Sequence, residues 1–141
     1  MMRPSVSEQL AGAARLLSEV VGPEIDDSYV ADVLAGVVTT LELLAKGWTQ
    51  VAAFLVWDIE ATRRVLELVG VEEVPAVGDP LDVVALQDRH TRVRALLERA
   101  MPDIAALPEA RTAVAALFRE RADRYPIPTT PWRRPVADTT R

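Results

Sequence analysis

Residues Lys46 to Leu68 read KGWTQVAAFLVWDIEATRRVLEL, and the placement of their apolar side chains decides the fold. At about 100° per residue, Leu34, Leu41, Trp48, Leu55, Ile59 and Leu66 share one side of a helix, while Gln50, Phe54, Trp57, Ala61 and Leu68 gather on the opposite side. A single core cannot take both faces. Two readings follow: the helix is the centre of a bundle wrapped by its neighbours, or Phe54 and Trp57 meet another subunit, since aromatic side chains on a spare face are common interface anchors.

Working outward, the apolar period behind this stretch starts near Tyr29 and continues through Val30, Val33, Leu34, Val37, Val38, Leu41 and Leu44. The period predicts a long second helix reaching Val69. Gly47 is its weak point, because an interior glycine costs about 1 kcal/mol relative to alanine, so a kink or a division into two consecutive helices is expected near Lys46 and Gly47. Before it, Ser5 and Glu8 have the spacing of a capping box, and Leu10, Ala13, Ala14, Leu17, Val20 and Val21 recur at helical spacing. That first helix is expected to stop at Gly22-Pro23, with the glycine in the left-handed conformation. After it, GVEEVPAVGDP from Gly70 to Pro80 reads as a loop, Asp79-Pro80 as the cap and first turn of a third helix, and Met101-Pro102 as its end. Pro108 opens a fourth helix with apolar positions Val114, Leu117 and Phe118.

The expected fold is therefore all-α: an antiparallel four-helix bundle-like domain over residues 1–125 with a long, kinked second helix, followed over 126–141 by an extended or disordered proline-rich tail. Composition agrees. Half of the 141 residues are hydrophobic but only 5% are aromatic, the balance of packed helices.

Composition also excludes several functions. With no cysteine, disulfides, thiolate metal sites and cysteine nucleophiles are ruled out. A net charge of -5 argues against general nucleic-acid binding, which needs clustered cations. The opening residues lack the apolar run of a signal peptide, and no later segment holds about 18 charge-free apolar residues, so a cytoplasmic protein that does not enter a membrane is expected. No phosphate loop, nucleophile elbow, zinc-protease or calcium-loop pattern occurs, and one histidine cannot build a di-iron bundle. No cofactor and no metal is called for.

His90, the single histidine, falls in register with Val83, Leu86, Val93 and Leu97, so it should point inward. Asp58 lies at the edge of the core stripe of the second helix, within conceivable reach of His90. Such a pair can prepare an imidazole for acid–base work or simply satisfy a buried ring. The arginines at 89, 92, 94, 119, 121 and 124 alternate with acids and read as solvated faces laced with weak ion pairs. Trp132-Arg133-Arg134-Pro135 in the tail could dock as an extended arm.

The stretches RPSVSEQLAGAARLL, YVADVLAGVVTTLELL and PEARTAVAALFRERADRYP, which together span most of Arg3 to Pro126, resemble a family of small bacterial helical proteins. Its members accompany a phosphotransferase-fold kinase and an acyl-CoA dehydrogenase in hydroxyacyl-CoA catabolism, and carry Asn where this chain has Gly36. The resemblance implies a non-catalytic subunit supporting a kinase of CoA thioesters, with no active-site residues to carry over. The sequence expectation is thus an accessory or assembly subunit, a homodimer or a companion of a larger enzyme, whose interface is Phe54, Trp57, Ala61, Leu68 and Trp132. The alternative is a small-ligand-binding bundle with a pocket near Trp48, Trp57, Asp58 and His90.

Overall fold

The computed structural model describes residues 4–127. All regular structure among them is helical, so the all-α class holds. The described residues form two compact units, divided between Trp48 and Thr49.

The first unit is a helical hairpin. Helix α1, Val6–Leu16, starts at the expected capping box: the Ser5 backbone N–H donates to Glu8 at 2.7 Å and the Glu8 N–H donates to Ser5 Oγ at 3.2 Å. The donors at Ser5 hold the Glu8 carboxyl below its ordinary pKa. The chain then widens into a π-helical turn, Leu17–Val21, and tightens into a 3-10 turn, Gly22–Glu24. The expected left-handed stop at Gly22 is corrected: its φ is -54°, right-handed. A Cβ at this position would meet the Leu34 side chain at 3.6 Å, an ordinary contact distance, so neither backbone conformation nor space requires glycine here. Helix α2, Ser28–Gly47, is capped by Asp27, whose carboxylate accepts the Val30 N–H at 3.0 Å.

The predicted break follows α2 directly. A 3-10 turn, Trp48–Gln50, separates it from α3, Val51–Leu68. Helix α3 closes in a Schellman motif: Gly70, at φ 71°, donates to Glu67 O at 3.1 Å and Val71 donates to Leu66 O at 3.1 Å. This arrangement satisfies two of the carbonyls that every helix end leaves over.

The second unit packs α3 against α4, Val83–Ala106, and α5, Pro108–Arg124. Two boundaries differ from expectation. Asp79 caps only a local turn, accepting from the Leu81 N–H at 2.9 Å, and Asp82 is the true cap of α4, accepting from Ala85 at 2.9 Å. Pro102 lies inside α4 and does not end it. The ring removes one hydrogen bond, but Leu86, Val93, Leu97, Ala100 and Ile104 form one continuous buried stripe, and completing it with the fully buried Ile104 offsets that loss. The helix ends instead at Leu107, held extended by the following Pro108.

Helix α3 is central to this unit. Phe54, Leu55, Asp58, Ile59, Thr62, Val65 and Leu66 are buried, and Val114, Leu117 and Ala110 of α5 close the core. Phe118, an apolar position of the predicted fourth helix, is 44% exposed, with the Arg121 guanidinium 5.4 Å above its ring.

Candidate functional site

The polar heart of the second unit is Asp58, 0% exposed on α3. Its Oδ2 meets His90 Nε2 of α4 at 2.5 Å, and its Oδ1 accepts from Arg121 Nε of α5 at 2.7 Å. Arg121 Nη2 also donates to Thr62 Oγ1 at 3.1 Å, and that hydroxyl donates to the Asp58 carbonyl at 2.6 Å. Each of the three helices thus places at least one polar side chain in the network. Burial alone pushes the Asp58 carboxyl up, but the hydrogen bonds from His90 and Arg121 and the guanidinium charge outweigh it and hold its pKa below the usual value. Asp58 is therefore a carboxylate, an acceptor only, so His90 Nε2 carries the proton and donates.

The Asp58–His90 bond was legible from spacing; Arg121 and Thr62 were not assigned to it. A signal existed. Ala110, Val114, Leu117, Arg121 and Tyr125 continue a single three-and-four spacing along α5, which sets Arg121 apart from the solvated arginines around it.

Phe54, one of the residues expected at an interface, is covered within the chain. Phe54 is 8% exposed, with the Tyr125 ring edge-on at 5.3 Å, Trp57 at 5.9 Å and His90 at 6.4 Å. Trp57 is half-buried beneath the Arg124 guanidinium, 4.8 Å from its ring centre. The end of α5 therefore supplies cover for both rings. Ala61 is half-buried and Leu68 is exposed; Trp132 lies outside the described residues. Of the expected pocket residues, Trp48 ends the first unit and is 42% exposed, whereas Asp58 and His90 belong to the second.

Beside this aromatic group is an open cleft of about 450 Å³, lined by Gln50, Phe54, Trp57, Asp123, Arg124 and Tyr125. A second, of about 410 Å³, lies on the hairpin between Ser7, Glu8 and Ala11 of α1 and Glu42, Ala45 and Lys46 of α2. The helical run Ser28–Leu68 is long and apolar enough to cross a membrane by length and composition, although it carries Asp32, Glu42 and Lys46 within α2.

No family model, curated protein or solved structure matches this chain.

Proposed function

We propose that this chain is a non-catalytic assembly protein, acting through contact with other macromolecules. The observation that carries the reading is the surface of the hairpin: Val6, Leu16, Val20, Val30, Val33 and Val37 are each between 41% and 60% exposed. Apolar surface on this scale marks interaction sites more often than idle exterior. The buried network supports the same reading. Both carboxylate oxygens of Asp58 are engaged, one of them by a permanent cation, and the lowered pKa that results makes Asp58 a weak base. The sequence resemblance suggests a place beside a kinase of CoA thioesters for such a protein. Native mass measured on the complex isolated under gentle conditions tests the assembly role. Replacing Val33 and Val37 together with Glu should reduce that mass while the circular dichroism spectrum stays helical; an unchanged mass would refute the role.

The cleft at Trp57 supports a second reading, a small-ligand module in which Arg124 and the aromatic rings hold a flat anion. A ligand screen read by Trp57 fluorescence tests it. Arg124→Ala should abolish any saturable quenching, and quenching that survives this change would count against the cleft.

A further inference from the structure

The two helices of the hairpin carry their surplus apolar side chains on one common side. Leu10, Ala14 and Leu17 of the first arm are shielded, as are Ala31, Leu34, Val38, Leu41 and Ala45 of α2, which identifies the faces packed between the arms. About 100° away in the same rotational sense, the first arm presents Val6, Ala13, Leu16 and Val20, and α2 presents Val30, Val33 and Val37. The start of α1 lies beside the end of α2, across the cleft at Ser7 and Lys46, so the arms are antiparallel. Equal rotations on antiparallel helices of the same hand bring both stripes to one side. The other side carries Glu8, Arg15 and Glu19 with Asp32, Glu42 and Lys46.

We propose that the apolar side seats against the same side of a second copy of this chain, so that two hairpins close into a four-helix bundle around a twofold axis. The inference rests on the assembly reading and names its partner. The half-exposed Val and Leu side chains offer on the order of 500 Å² per copy, and a polar rim brings this to the roughly 800 Å² per partner of a standard interface. The stripe is uncharged, so it meets its own copy without like-charge conflict despite a net charge of -5. A twofold contact uses one patch twice and leaves none free for a third copy. The acids on the opposite side stay in water and keep the product from associating further. A membrane-spanning α2 is a poorer alternative, because crossing would take Asp32 and Glu42 into hydrocarbon.

Sedimentation velocity of the purified full chain over a concentration series should show a dimer, with self-association weakened about a hundredfold or more in the Val33→Glu, Val37→Glu double variant. Because the chain has no native cysteine, single cysteines give a second readout on the folded protein. A flexible bismaleimide should link copies of Val37→Cys and leave Ala35→Cys, on the polar side, unlinked. A wild-type chain that sediments as a monomer at every concentration overturns the pairing. If that monomer nevertheless loses an unlike protein partner in the double variant, pairing fails and the assembly role stands. Equal linking of both cysteine variants also overturns it, as does flotation of the wild type with phosphatidylcholine–phosphatidylglycerol vesicles.

Discussion

Between Pro4 and Trp48 only Ala14 and Gly47 are buried, whereas Thr49–Pro126 holds the whole remaining core, from Phe54 through Leu117. Both units have capped, periodic, amphipathic helices, so local sequence quality does not separate them. The number of helices does. A helix in a two-helix hairpin has one seam to bury, while a third helix gives every helix two neighbours and encloses the space between them. Burial worth about 1.5–3 kcal/mol per large apolar side chain thus accumulates on α3, α4 and α5 and is largely missing on α1 and α2. The hairpin is helical by sequence and incomplete by packing.

The largest effect expected from breaking this contrast is at Arg121. Arg121→Met removes one partner from a buried carboxylate and should cost about 3 kcal/mol or more in denaturant unfolding of the second unit; a loss near zero would mean that Asp58 is solvated. Ile59→Ala, at a 0% exposed position, should cost roughly 2–5 kcal/mol, while Val33→Ala at 41% exposure should cost about 0.5 kcal/mol in dilute monomer. Equal costs at the two sites would erase the distinction between the units.

Acid gives a subtler probe. Asp58 has a folded pKa below its unfolded value, so its contribution to stability is complete above about pH 4 and is lost as pH falls through the lower folded value. Thermal melts of the wild type should therefore drop more steeply in that acid range than those of Asp58→Asn. His90→Gln can keep a donor toward Asp58 and should cost about 1 kcal/mol by thermal melting, leaving any assembly intact. Gly78→Ala should have an effect of similar size. Gly78 sits at φ 72°, and a Cβ there would lie 2.6 Å from the Arg89 guanidinium, displacing Arg89 from its 3.0 Å bond to Val77 O. Hydrogen exchange in the loop before α4 would report the release.

The features legible in the sequence are those that short-range chemistry determines. Ser5 and Glu8 cap because they lie three residues apart, the helix yields beside Gly47 because glycine weakens it, and His90 faces inward because Leu86, Val93 and Leu97 share its spacing. Other features depend on partners that no local window contains. Asp79 and Asp82 are both competent caps, and the packing of Leu86 decides between them. Pro102 reads as a terminator until Ile104 is known to be buried. Phe54 reads as uncovered because Tyr125 stands far along the chain. Arg121 has an ordinary surface pattern around it, and only its alignment with Leu117 and Tyr125 marks it as inward. Site chemistry followed the same rule: the Asp58–His90 pair was visible, and the cation that restrains it was not.

The meeting of Asp58, His90 and Arg121 also has a temporal consequence. Asp58 is separated by 32 residues from His90 and by 63 from Arg121, so closing the network requires long loops that are entropically costly until α3, α4 and α5 are already docked. A polar group desolvated before its partners arrive gains nothing. The bonds are therefore expected to form late, after the barrier to folding, and to act mainly as a brake on unfolding. Arg121→Met should speed unfolding in stopped-flow chevrons and leave the refolding limb nearly unchanged. The same three side chains are thus expected to set how long the folded second unit survives between openings.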